Sequence, residues 1–193
     1  MPLTSTLLHR KGIDMFRTSL VLALMMALLH PFGALAQDEA QAEAPRVANG
    51  TAFGKWSVTC EALAVNETTC VLTQRLVRTA DNAFLAEFLA FWSADGATRY
   101  VAARVPTGVY LPAGFVLRPE TDPEGDELAF VWQSCGRDLC EALIVLDDDM
   151  ATRLEAAENL LAGYRPNLLS EPAVFNLSFA GLDAGLAALR PAE

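Results

Sequence analysis

The sequence predicts an all-β fold, a β-sandwich or small barrel, and three observations carry that prediction. Seven short β-prone runs recur between Gly, Pro and Asp turn signals. Several runs alternate faces: Phe130 and Trp132 oppose Val131, and Tyr100, Ala102 and Arg104 oppose Val101, Ala103 and Val105. Across 193 residues, 52% are apolar and 20% charged, enough for a sizeable core and too apolar for wholesale disorder.

The elements follow in chain order. Residues 1–36 read as a secretory signal peptide and not as part of the fold. His9, Arg10, Lys11 and Arg17 form a basic lead-in, Leu20 to Leu29 is an uninterrupted apolar decad, and Ala34-Leu35-Ala36 precedes polar Gln37. Ten apolar residues rise about 15 Å as a helix, half of a hydrocarbon core, so no transmembrane anchor is expected after cleavage near Ala36-Gln37. Met15 begins a complete signal of its own, which leaves Met1 and Met15 both open as the start. Residues 37–52, rich in Ala, acids, Pro and Gly, read as a flexible leader to a β domain over 53–193.

Within that domain the expected strands are Trp56–Cys60, Thr69–Val77, Thr98–Arg104, Phe115–Arg118, Leu128–Trp132, Ala142–Leu146 and Ala173–Phe179. Phe84–Trp92 fits a helix through Leu85, Phe88, Leu89 and Trp92, and a strand face through Phe84, Ala86, Phe88, Ala90 and Trp92; its neighbours favour strand. One α-helix is expected near residues 150–162. Met150, Leu154, Ala157 and Leu161 share a face, Asp148 or Asp149 supplies the N-cap, and Gly163 is suited to follow its end.

Charge and composition exclude several functions. The net charge of −10 lacks the basic stripe that nucleic acid or anionic lipid requires. Both histidines, His9 and His30, leave with the signal, so the 157 residues after it hold none. Ser-His-Asp and Cys-His nucleophiles and His-ligated zinc or haem are thereby excluded there. Four cysteines remain, Cys60, Cys70, Cys135 and Cys140, and in an oxidising compartment the expectation is two structural disulfides. Three connectivities are open. A Cys70–Cys135 bridge around Trp92 would mimic the inter-sheet bridge of antibody domains, but the Trp spacing is too long and Gln133 stands where a Tyr would. The local pairs Cys60–Cys70 and Cys135–Cys140 are favoured: an antiparallel return joins the first, and Gly136 permits a tight turn for the second.

Other constellations are weak. Lys55 and Ser57 would share a strand face, yet nothing supplies an oxyanion hole for a Ser–Lys nucleophile. Glu120, Asp122, Glu124, Asp126 and Glu127 around Gly125 miss the calcium-loop pattern and read as a solvated acidic turn. Asn49, Asn66 and Asn176 open glycosylation sequons that a bacterial signal makes coincidental. No catalytic, cofactor-binding or metal-ligating residue is nominated.

Five stretches together resemble one family. Phe53-Gly54-Lys55-Trp56 through Cys60, Cys70-Val-Leu-Thr-Gln74, Val105 to Gly114, Gln133-Ser-Cys135 with Cys140-Glu-Ala142, and Phe175-Asn-Leu-Ser-Phe-Ala-Gly181 are similar to the invasion-associated locus B (IalB) family of exported bacterial proteins. The family commonly has Gly-Phe where Gly181-Leu182 stands, and a tighter loop before its last Cys. The resemblance implies an immunoglobulin-like β-sandwich in a Gram-negative periplasm, with an association with host-cell invasion and no catalytic residues. The expected function is accordingly a non-enzymatic module that binds an envelope or host protein. Its rivals are a carboxylate-dependent hydrolase of envelope glycans and a purely structural envelope-maintenance protein.

Overall fold

A computed structural model describes residues 47–65, 67–121 and 127–191. The expected signal peptide, most of the leader, Asn66 and the acidic residues 122–126 lie outside them. The strands are β1 (Ala52–Phe53), β2 (Trp56–Ala64), β3 (Glu67–Val77), β4 (Phe84–Trp92), β5 (Arg99–Pro106), β6 (Phe115–Pro119), β7 (Leu128–Cys135), β8 (Leu139–Val145), β9 (Leu160–Tyr164) and β10 (Ala173–Leu177). Among the described residues two helices, α1 (Asp148–Ala156) and α2 (Leu182–Ala188), and one 3₁₀ turn at Leu111–Ala113 complete the elements. All seven expected strands are present, and Phe84–Trp92 is strand.

The ten strands form one antiparallel ladder in the order β1-β2-β3-β4-β5-β8-β7-β6-β9-β10. It bends at β7, whose first residues pair with β6 while Val131–Cys135 pair with β8, with a register shift between Trp132 and Ser134. The bend folds the sheet into two layers. Phe88 on β4 meets Phe115 on β6 at 5.8 Å, and the Tyr164 hydroxyl of β9 donates to the Leu85 carbonyl of β4 at 3.3 Å. The mainly-β sandwich of the sequence is thus present, with one continuous ladder running through both layers. Alternation sorts the faces: Val101, Ala103 and Val105 are fully buried between the layers, and Tyr100 and Arg104 are partly exposed on the opposite face, where the small Ala102 between them is covered by its neighbours.

The helix expected over 150–162 is a correction. It starts earlier and ends at Ala156, and Asp147, not Asp148 or Asp149, caps it by accepting from the Met150 N–H at 2.7 Å. Leu160, Ala162 and Tyr164 are buried, and β9 pairs with β6 on one side and β10 on the other. Two full ladders and a core face outweigh one more helical turn. Gly163 therefore lies inside a strand, where an added Cβ would stand 3.5 Å from the Ala173 carbonyl oxygen.

Four elements escaped the sequence reading: β1, β9, α2 and the 3₁₀ turn. The last stretch of the expected leader is also held in place. The Gly50 N–H donates to the Val58 carbonyl, Asn49 Oδ1 accepts from the Cys60 N–H, and Ala52–Phe53 pairs with β2.

The chain after β10 crosses to the other end of the ladder and clasps it. Three consecutive carbonyls accept hydrogen bonds there: Ser178 from Gln74 Nε2 (3.1 Å), Phe179 from Trp56 Nε1 (3.4 Å) and Ala180 from the Lys55 N–H (3.1 Å). Phe179 is fully buried, edge-on to Trp56 at 5.2 Å and to Phe88 at 5.8 Å. Two glycines allow the backbones to meet. Gly54 (φ +58°) and Gly181 (φ +91°) hold left-handed conformations, and a Cβ on them would stand 2.1 Å from the Ala180 oxygen and 2.4 Å from the Phe53 oxygen.

Candidate functional site

The four cysteines are the only site residues nominated from the sequence, and both local pairs sit directly opposite each other across hairpin strands. Cys60 on β2 faces Cys70 on β3, with sulfurs 2.10 Å apart, and Cys135 on β7 faces Cys140 on β8, with sulfurs 1.99 Å apart. The reason offered for Gly136 does not hold. Its φ is not positive, and an added Cβ would meet nothing closer than the Leu139 oxygen at 3.8 Å. The turn is made by the Gly136 N–H donating to the Leu139 carbonyl at 2.8 Å.

Lys55 and Ser57 are not brought together. Lys55 is exposed in the turn before β2, and the Ser57 hydroxyl shares a hydrogen bond with the Thr73 hydroxyl at 3.3 Å. Of the acidic run, Glu127 reaches Arg118 at 4.0 Å. No group of three or more metal-ligating side chains occurs among the described residues.

Two concave surfaces stand out among the described residues. The larger, about 910 Å³, lies where α1, α2 and the β4–β5 turn meet. The largely covered Arg99 guanidinium bonds Asp148 at the start of α1 and Asp183 in α2. The Trp92 indole donates to the Leu186 carbonyl at 2.7 Å, and the guanidinium carbons of Arg99 and Arg190 stand 5.8 and 5.1 Å from its ring centre. Glu155 of α1 accepts from the Gly181 N–H (2.9 Å) and the Asp183 N–H (3.4 Å), serving a helix start that has no capping side chain of its own. These charges satisfy one another and fasten two short helices to the sheet.

The second surface is the outer face of β2, β3, β4, β5, β8 and β7. Across it runs a row of alternating charge at matched register: Arg75, Glu87, Arg104 and Glu141, on β3, β4, β5 and β8. The separations are 3.9, 4.0 and 2.7 Å. Partly exposed pairs of this kind add little stability each, but a one-residue slip would break all three. Beside the ions lies an apolar row at matched register: Leu89, Ala102, Leu143 and Val131, the last 65% exposed. The next row carries Phe91 stacked on Tyr100 at 5.7 Å, then Val145 at 53% exposed. A smaller groove of about 350 Å³ opens at the β2–β4 side of this face.

Fold and surfaces together define an antiparallel β-sandwich protein with two hairpins whose facing cysteines stand at disulfide distance and an open, partly apolar outer face. The chain belongs to the invasion-associated locus B family: the model of the invasion associated locus B (IalB) protein matches residues 56–190. Among solved structures it is similar to the crystal structure of invasion associated protein B from Bartonella henselae. That likeness has a TM-score of 0.57 and 19% identity over 72% of this chain and 92% of the other, and it speaks to the fold. No curated protein matches the chain. The stretches that carry the family resemblance now have a physical reading. Phe53–Trp56, Gln74 and Phe175–Gly181 build the clasp that closes the sandwich.

Proposed function

We propose that this protein is an exported, non-enzymatic binding module of the bacterial envelope, working in the periplasm and contacting its partner through the outer sheet face. The observation that supports this is the placement of Phe91, Tyr100, Leu143, Val145 and Val131 on one sheet face, with Val131 and Val145 exposed and no helix of the described residues paired over them. A contiguous apolar patch beside polar rows is the usual composition of a contact surface. The disulfide-distance cysteines suit an oxidising compartment, and none of the helices among the described residues is long and apolar enough to cross a membrane. The hydrolase rival needs two carboxylates addressing a sugar across a pocket. In the large cleft the Arg99 guanidinium stands between Asp148 and Asp183, which supports a structural role there instead.

The test is retention of solubilised envelope components on immobilised mature protein, comparing wild type with a Val131→Asp, Leu143→Asp double variant, both positions lying outside the large cleft. A component held by wild type and released by the variant is expected. Equal retention by both would refute the assignment of the face.

A further inference from the structure

The groove on the outer face has a composition that its apolar neighbours do not share. It is lined by hydroxyl-bearing Thr59, Thr69 and Thr73, by carboxylates Glu61 and Glu87 with the Arg104 guanidinium, and by apolar Val71, Leu89 and Phe91. At about 350 Å³ it falls within the range of small-ligand pockets. The polar groups come in fixed positions. Thr73 and Thr59 share a 2.8 Å hydrogen bond, Thr73 Oγ1 also bonds the Ser57 carbonyl at 3.2 Å, and Arg104 is anchored by Glu141 at 2.7 Å. The Phe91 ring is steadied by Tyr100 on the next strand. Such an arrangement offers one aromatic side chain, two aliphatic ones, and donors and acceptors of both kinds.

Resting on the binding-module reading, we propose that this groove binds a glycan chain of neutral pyranose rings with equatorial hydroxyls. The C–H face of a pyranose is weakly positive and packs against the negative face of an aromatic ring, here Phe91. Its rim of hydroxyls donates and accepts at once, which matches threonine hydroxyls beside a carboxylate and a guanidinium. Sugar rings that themselves carry a carboxylate or sulfate are disfavoured in the groove, since Glu61 and Glu87 line it; in peptidoglycan the lactyl group on the ring is amidated and the free carboxylates sit on the stem peptides. An apolar peptide would cover the Glu61 carboxylate and the Thr69 hydroxyl without offering either a hydrogen-bond partner, a desolvation cost the sugar does not incur.

Titration calorimetry of the mature protein with chitotetraose and with cellotetraose, together with co-sedimentation on purified peptidoglycan sacculi, tests this. Saturable binding of chitotetraose and sacculi supports the proposal with cell-wall glycan as the source. Binding of cellotetraose without sacculi supports it with a neutral polysaccharide as the source. Phe91→Ala is expected to weaken binding about tenfold or more, and Thr59→Val, which keeps the strand and removes one hydroxyl, is expected to weaken it several-fold. Val174→Lys, on distant β10, should bind as wild type. No binding of any of the three probes at millimolar sugar overturns the proposal, as does binding that both groove variants leave intact. Capture of an envelope protein through the outer face without any sugar binding would overturn the glycan and leave the binding-module reading standing.

Discussion

Replacing Phe179 with Ala should cost more than any single substitution on the outer face. Phe179 has no solvent exposure and meets Trp56 and Phe88 edge-on at 5.2 and 5.8 Å. Truncating a buried Phe costs about 3–5 kcal/mol through lost transfer free energy and the cavity left behind. Two edge-to-face contacts, worth about 0.5–1.5 kcal/mol each beyond burial, place this site in the upper half of that range. The cavity cannot collapse easily, because the flanking Ser178, Phe179 and Ala180 carbonyls remain pinned by Gln74, Trp56 and the Lys55 N–H. We expect a loss of about 4–5 kcal/mol, or roughly 10 °C or more in Tm for a domain of this size. Urea unfolding followed by tryptophan fluorescence measures it, with circular dichroism as a second probe of two-state behaviour. Phe91→Ala, on the half-buried outer pair, should cost no more than about 1.5 kcal/mol. A Phe179→Ala loss below about 2 kcal/mol would show that the clasp does not hold the two ends of the ladder together.

Gly54→Ala should destabilise by about 2 kcal/mol or more, since it combines a left-handed φ with a Cβ aimed at the Ala180 oxygen; the same unfolding assay reads it. Non-reducing peptide mapping should recover Cys60–Cys70 and Cys135–Cys140 peptides, and replacing either pair by Ser should cost about 2–3 kcal/mol; a Cys70–Cys135 peptide would contradict this. Arg99→Ala should cost about 1–2 kcal/mol and speed amide exchange in α1 and α2, because it frees both helices from β5. Burial pushes the Tyr164 phenol up. Its contribution is therefore intact below the unfolded value of about 10 and is lost as pH rises through the folded value, so a melting series at pH 9–11 should fall more steeply for wild type than for Tyr164→Phe.

Local pattern made most of the sheet legible. Alternation alone gave β5, with Val101, Ala103 and Val105 inward, and the ten-residue interval between Cys60 and Cys70 fitted a hairpin return. What stayed hidden depends on partners distant in sequence. Leu160–Tyr164 follows α1 with helix-compatible spacing, and only its two neighbours, β6 and β10, draw it into a strand. Helix α2 is seven residues long, too short for periodicity to stand out, and is held by Glu155 from 27 residues before its start. The outer face was visible as single residues, such as Val131 opposed to Phe130 and Trp132. The lateral rows Arg75–Glu87–Arg104–Glu141 and Leu89–Ala102–Leu143–Val131 exist only once the register of five strands is known. Fold-closing glycines were likewise visible as motif members, while the reason for them lies in contacts across more than a hundred residues.

Photo-crosslinking in living cells tests the central claim most directly, with p-benzoylphenylalanine placed singly at Phe91 on the outer face, at Arg190 in the large cleft and at Val174 on β10. The account predicts an adduct with an envelope component from position 91 and none from 190 or 174. An adduct from position 190 with none from 91 would contradict it and move the contact surface to the cleft.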